Sequence, residues 1–252
     1  MKRLIVIPAR WGSERLRGKP LREALGRPLI RYVYENALRC RAAEKVVVAT
    51  DDERVAEAVR SFGGEAVMTS AEHRTGTDRV AEAASALGAE YVVNVQGDEP
   101  AVPPGLLEEM FERLESGRWD VVTAARALRD AEEMENPARV KVVCASDGTA
   151  LLFTRAPVPH AREAEDREAA LALARVHVGV YGFRREALLA FPRLPSPPLE
   201  TVERLEQLRL LYHGYKIAVL ECADFGDSID TPEDLARFER ELTRKASIGG
   251  KD

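Results

Sequence analysis

Residues 45–64 read KVVVATDDERVAEAVRSFGG. The run from Val46 to Ala49 is short, apolar and mostly β-branched, as a strand covered on both faces would be. Asp51 and Asp52 follow where a helix N-terminus favours carboxylates, ERVAEAVRSF spaces its apolar residues helically, and Gly63 and Gly64 stop it. A strand that feeds a helix this directly is a βα unit, and its unbroken apolar run belongs in a largely parallel sheet between helices.

The pattern extends outward in both directions. Residues 4–7, 65–68, 91–95 and 121–125 repeat the apolar run, and helical segments with readable ends separate them, Pro28 opening the first. Beyond about residue 126 the pattern changes. Residues 140–143 and 151–153 flank a Ser146-Asp147-Gly148 turn as an antiparallel hairpin, and residues 177–183 form a further strand. With Ser196 as cap and Pro197 in the first turn, residues 199–212 read as one helix. Its Leu199, Val202, Leu205 and Leu208 make an apolar stripe beside a polar face of Glu203, Glu206 and Gln207. Residues 217–220 are the last strand; a capping box of Thr231 and Asp234 opens the final helix, and a loose tail is expected from Ala246. The expected fold is α/β: a mixed, mostly parallel sheet flanked by helices, one domain over residues 1–245 with an antiparallel elaboration at about 126–200.

Composition narrows the function classes. With 252 residues, 45% of them hydrophobic, the chain can bury one large core. A formal net charge of -5 supplies no basic field for gathering nucleic acid, so any phosphate must be bound by a few placed cations. Cys40, Cys144 and Cys222 are odd in number and far apart, which suggests neither a disulfide framework nor a zinc site. The apolar run at residues 4–7 is cut off by Pro8 and Arg10, too short for a signal core or a membrane span, so a soluble cytoplasmic protein is expected.

In open α/β sheets ligands sit at the carboxyl ends of strands, and four polar stretches follow strands here. PARWGSERLRGKPL (residues 8–21) has Gly12 and Gly18 for close backbone approach to an anion, and Arg10, Arg15 and Lys19 for charge. It is not a Walker loop, since five residues separate Gly12 from Gly18 and Pro20 replaces the hydroxyl residue; no dinucleotide fingerprint is present either. HRTGTDR (residues 73–79) offers Thr77 as a helix cap and His73 as a loop imidazole. QGDEP (residues 96–100) ends a buried strand in two carboxylates. Asp98 is either a solvated turn residue or a magnesium ligand, magnesium being held by one or two carboxylates plus substrate phosphates. Glu99 and Pro100 read as the exit turn. DSIDTPEDL (residues 227–235) supplies Asp230, a partner carboxylate or a charge favoured near a helix N-terminus. Glu206 and Gln207 would be solvated, or would offer acceptors and donors to a polyhydroxylated ligand. No Ser or Cys stands in a nucleophilic arrangement, so a covalent enzyme intermediate is not expected.

Taken together, IPAR, RLRGKPL, VATDD, VMTSAEHRTGTDR, NVQGDEP, NPARVKVV, TRAPVPHAR, HVGVYGF, LETVERLEQLR and DTPEDL resemble the 3-deoxy-manno-octulosonate cytidylyltransferase (CMP-Kdo synthetase) family over residues 1–240. The resemblance implies a Rossmann-like nucleotide-diphospho-sugar transferase fold and a homodimer. It implies magnesium-dependent transfer of CMP from CTP to the sugar acid 3-deoxy-D-manno-octulosonate (Kdo), giving CMP-Kdo and pyrophosphate for lipopolysaccharide biosynthesis. By position it implies that Arg10 and Lys19 bind the triphosphate and that Ala9, Arg74, Thr75, Gly76, Gln96 and Gly97 surround the nucleotide. Asp98 and Asp230 would hold Mg2+, and Arg155, His177, Tyr181, Glu206 and Gln207 would face the sugar; Arg10, Lys19, Asp98 and Asp230 would be the catalytic set. The chain departs from the family pattern at Arg17, where Pro is common, at Arg74 and Thr75, where small hydroxyl residues are common, and at Ser228, where Gly usually stands. The alternatives are a related sugar acid as acceptor, a nucleotide-binding module without catalysis, and a glycosyltransferase. The last would normally carry Asp-x-Asp, whereas this chain offers Asp51-Asp52 and Gly97-Asp98-Glu99.

Overall fold

A computed structural model describes residues 1–12, 18–73 and 75–249; Arg15, Arg17 and Arg74 lie outside the described residues. The first half repeats the βα unit. Strand β1 (Arg3–Pro8) is followed by a small hairpin, β2 (Glu23–Ala24) and β3 (Arg27–Pro28), and by helix α1 (Leu29–Ala37). Then β4 (Lys45–Thr50) leads to α2 (Glu53–Ser61), β5 (Ala66–Met68) to α3 (Gly76–Leu87), and β6 (Tyr91–Asn94) to α4 (Pro104–Glu115). Asp52 caps α2 by accepting the Arg54 amide at 3.0 Å. Strand β1 pairs in parallel with β4 and β6, and β4 with β5.

In the second half come β7 (Val121–Ala127), α5 (Glu132–Glu135), the hairpin β8 (Lys141–Cys144) and β9 (Ala150–Thr154), and α6 (Arg167–Leu173). Then follow β10 (Arg175–Arg184), α7 (Arg185–Ala190), α8 (Pro198–Glu203), α9 (Gln207–Tyr212), β11 (Ile217–Glu221) and α10 (Pro232–Gly249). Strand β10 enters the middle of the sheet, antiparallel between β6 and β7, and the order is β11-β7-β10-β6-β1-β4-β5 with the β8-β9 hairpin paired onto β10. Because β10 runs against its neighbours, its residues 177–181 lie toward their carboxyl ends: His177 pairs with Ala125, and Tyr181 with Asn94. A register shift between Val178 and Tyr181 bulges the strand there.

Alternation along each strand sorts two cores. Ile5, Ile7 and Val93 pack with Val33 of α1, Val55 of α2 and Phe111 of α4, while Leu4, Val6 and Val92 pack with Val80 of α3, Leu188 of α7 and Leu208 of α9. The sheet is thus the middle of three layers, and its strand ends form one exposed edge.

Three expectations are corrected. Residues 199–212 are not one helix: Arg204 is left-handed (φ 54, ψ 46) and separates α8 from α9. Long-range bonds outweigh the helical pattern here. The Glu203 carboxylate accepts Thr154 Oγ1 at 2.7 Å and the Arg155 amide at 3.0 Å, and Arg155 Nε donates to the Glu203 carbonyl at 2.7 Å. Leu199 and Val202 are consequently exposed, and Leu205 and Leu208 alone of the stripe are buried. The N-cap of α8 is Pro197 rather than Ser196, whose hydroxyl bonds Glu200 instead. Helix α10 continues to Gly249, past the tail expected from Ala246, because no helix breaker precedes that glycine.

The β2-β3 turn offers a test of local strain. Leu25 and Gly26 both have positive φ, 49° and 74°, and Leu25 is exposed. A leucine in this region costs about 1–2 kcal/mol, and asparagine tolerates it better. Leu25→Asn is expected to raise unfolding stability by about 0.5–1 kcal/mol, seen as a higher urea midpoint at unchanged slope.

Candidate active site

The ends of β1 and β6 touch. A Cβ on Gly97 would sit 2.9 Å from the Pro8 carbonyl oxygen, so only glycine lets the chain leave β6 at this point and turn Asp98 into the cleft. The Ile229 amide donates to the Asp98 carbonyl at 2.9 Å, drawing the segment ahead of α10 alongside. Lys19 Nζ then donates to both Asp98 Oδ2 and Asp230 Oδ1, the latter at 2.8 Å. Lys19 is delivered by a tight turn after Gly18 (φ 67), where a Cβ would lie 2.9 Å from the Trp11 ring. Ser228 Oγ donates to the second Asp230 oxygen at 3.2 Å.

Beside this cluster opens a cavity of about 320 Å3 lined by Ala9, Arg10, Lys19, Thr75, Gly76, Gln96, Gly97, Asp98 and Asp230. Helix α3 begins at its wall. Its cap is Thr75, not Thr77: Thr75 Oγ1 accepts the Asp78 amide at 3.1 Å and Asp78 accepts the Thr75 amide at 3.2 Å, a closed capping box. Thr77 is left to donate to Glu206 Oε2 at 3.2 Å, tying α3 to the turn before α9. The first-turn amides of α3 and its dipole therefore favour an anion in this cavity.

A second cavity, about 370 Å3, shares Gly76, Gln96 and Glu206 with the first and adds His177, Tyr181 and Gln207. A third, about 160 Å3, shares His177 and Gly179 with the second and is lined by Glu99 and Ser228. The three make a continuous groove across the ends of β1, β6 and β10. Arg155 lines none of them; its guanidinium donates to the carbonyls of Glu203 and Pro137, holding the break between α8 and α9.

Burial sets the protonation of the sugar-side groups. The His177 imidazole is driven down to about 3 by desolvation and is neutral at working pH. Its ring is held by Thr123. That hydroxyl lies 2.9 Å from His177 Nε2 and also meets the carbonyls of Val178 and Val180. The contact fixes the ring's orientation by its Nε2 edge. Burial raises Glu206 against the opposing Thr77 hydrogen bond, and raises the Tyr181 phenol well above its usual value.

Glu99 is not the exit-turn residue its position suggested. Its Oε2 is buried without a partner among the described residues. Desolvation first, then the neighbouring Asp98 and Asp230, push its carboxyl to about 8, with Lys19 opposing. Arg79 was also passed over: it is 3% exposed, lines the first cavity, and donates to Asp51 Oδ2 at 2.8 Å. The HRTGTDR and VATDD stretches contained both partners, but their pairing spans 28 residues and is invisible to local pattern.

Two carboxylates and a lysine gather beside a helix N-terminus at the strand ends of an α/β sheet, the place where such folds bind ligands. A sequence profile described as Cytidylyltransferase matches residues 4–217. A 3-deoxy-manno-octulosonate cytidylyltransferase of Geobacter metallireducens is 43% identical over 97% of this chain and 99% of its own. Another, from Anaeromyxobacter sp. (strain K), is 48% identical over 92% of this chain and 94% of its own. A solved structure of CMP:2-keto-3-deoxy-manno-octonic acid synthetase complexed with CTP superposes with a TM-score of 0.92 at 41% identity, covering 97% of this chain and all of that one. The chain belongs to the cytidylyltransferases, and among them to the 3-deoxy-manno-octulosonate cytidylyltransferase family.

The Glu99 environment has a pH signature. A carboxyl raised from 4.5 to about 8 keeps its proton longer in the folded chain, so its contribution to stability falls as pH rises through that window. In chelator-containing buffer, Glu99→Gln is expected to be more stable than the parent at pH 8, by on the order of 1 kcal/mol or more, and no more stable near pH 4.5. Thermal or urea unfolding at the two pH values checks this; a gain independent of pH would show that Glu99 ionises normally.

Proposed function

We propose that the chain transfers CMP from CTP to 3-deoxy-D-manno-octulosonate, releasing pyrophosphate and supplying CMP-Kdo for lipopolysaccharide biosynthesis. The observation that carries this reading is the Lys19 ammonium between Asp98 and Asp230, at the wall of a cavity that continues into a second, polyol-compatible one. The names of the relatives, and the CTP in the solved relative's description, support it.

The reading includes Mg2+ on Asp98 and Asp230, and the residues fit it. One oxygen from each carboxylate already converges on a single cationic nitrogen. Two carboxylates suffice for an ion that completes its shell with water and substrate phosphates. When bound there, magnesium would supply charge stabilisation at the reacting phosphate.

The remaining roles belong to the chain. Arg10 and Lys19 place positive charge against the triphosphate, where the leaving pyrophosphate gains charge as the sugar hydroxyl displaces it from the α-phosphorus. Gln96, Thr75 and Gly76 shape the nucleotide side of the groove. On the sugar side, neutral His177 lines the second cavity, and Gln207 and Glu206 add donors and acceptors on a braced turn. Assembly as a homodimer is part of the reading. Sedimentation should give twice the chain mass, and a monomer at micromolar concentration would remove this element.

Pyrophosphate release from CTP plus Kdo tests the reaction. Asp98→Asn and Asp230→Asn are each expected to lower kcat on the order of 100-fold while the fold persists. If Asp230 were merely a helix-end charge, its loss would cost about 0.3–1 kcal/mol of stability and leave the rate unchanged. A panel of nucleoside triphosphates and sugar acids identifies the acceptor: faster turnover with another sugar acid would replace Kdo in the assignment.

A further inference from the structure

Asp230 sits at the end of an irregular segment, residues 222–231, between β11 and α10. A carboxylate on such a segment meets a partner reproducibly only if the backbone is tied on both sides. The downstream tie is the capping box, in which Thr231 Oγ1 accepts the Asp234 amide at 3.2 Å and Asp234 accepts the Thr231 amide at 2.9 Å.

The upstream tie comes from the far end of the neighbouring strand β7 and from the segment ahead of β8. Arg129, just beyond β7, donates Nη2 to Asp224 Oδ1 at 2.7 Å and Nη1 to Asp227 Oδ2 at 2.8 Å. Arg139, just ahead of β8, donates Nη1 to Asp227 Oδ1 at 2.8 Å and Nη2 to Oδ2 at 3.1 Å. Asp227 therefore takes three guanidinium N-H groups, two of them in a bidentate fork that fixes orientation as well as distance. Both arginines are anchored in turn. The buried Glu133 carboxylate accepts the Arg129 amide at 2.8 Å and the Arg126 guanidinium at 2.6 and 2.8 Å. The Arg139 carbonyl accepts Lys141 Nζ at 2.6 Å, and Lys141 is fully buried. One residue past Asp227, Ser228 holds an Asp230 oxygen, and Ile229 is bonded to the Asp98 backbone.

We propose that Asp227, gripped by Arg129 and Arg139, is the positioning residue that sets the Asp230 carboxylate against Asp98. The antiparallel elaboration, which supplies both arginines, thereby governs the geometry of the nucleotide site. This rests on the proposed role of Asp230 as a metal ligand.

The test reads metal binding apart from turnover. Free Mn2+ is measured by electron paramagnetic resonance during titration of the CTP-bound protein without sugar, beside kcat and the KM for CTP. Asp227→Asn is expected to weaken Mn2+ binding about 10- to 100-fold and to lower kcat at limiting metal, with the affinity for metal-free CTP unchanged. Arg139→Gln should shift Mn2+ binding in the same direction by less, and the double variant should be no worse than Asp227→Asn. If Asp227→Asn fails to fold, as judged by circular dichroism, Arg139→Gln decides. Mn2+ binding indistinguishable from the parent in the folded variants overturns the inference. Asp230→Asn separates the two levels: if it weakens Mn2+ binding and the clamp variants do not, the clamp alone is wrong. If Asp230→Asn leaves Mn2+ binding intact, the metal assignment fails and takes the clamp with it.

Discussion

One ammonium, that of Lys19, stands between Asp98 and Asp230, with the Glu99 carboxyl close enough for both aspartates to raise its proton affinity. Gathering several acidic groups at a strand end costs repulsion and desolvation together, and the cluster persists because a cation occupies its focus and one acid keeps its proton. The architecture around it serves this crowding. Gly97 lets β6 turn against the Pro8 carbonyl, Gly18 lets the first loop fold onto Trp11 and aim Lys19, and the Ile229 amide pulls in the third segment.

The antiparallel entry of β10 has a comparable consequence for the second half of the groove. Had this strand joined in parallel, His177 and Tyr181 would lie at the opposite edge of the sheet. Reversed and bulged, it places both rings at the carboxyl ends of β6 and β7, 5.3 Å apart, where α9 can set Glu206 and Gln207 opposite them. The left-handed Arg204 is the counterpart on the helical side. It turns α9 away from the direction of α8, and Glu203 and Arg155 hold that break.

Much of this was legible locally. The βα alternation, the Asp52 cap, the Ser146-Asp147-Gly148 turn and the Thr231-Asp234 box are short-range features, and each forms as the pattern predicts. The stretches singled out at strand ends do converge, although Arg74 lies outside the described residues and Arg155 turns to backbone carbonyls. The misreadings share a cause. Thr75 displaced Thr77 as a cap because Thr77 bonds Glu206, 129 residues away; the helix over residues 199–212 broke because Glu203 is claimed by Thr154 and Arg155; Glu99 was taken for a turn because its burial comes from remote elements.

By itself the sequence determined the order of strands and helices, most of their ends, and which residue types stand at the tips, since these follow from propensity, periodicity and capping within a few residues. Tertiary structure alone decided that β10 runs antiparallel through the centre, that Lys19 bridges two aspartates 132 residues apart, and that Asp227 is gripped by arginines 98 and 88 residues away in sequence. Pairing direction, desolvation and long-range ion pairs depend on which distant surfaces meet, and no local window of the chain contains that information.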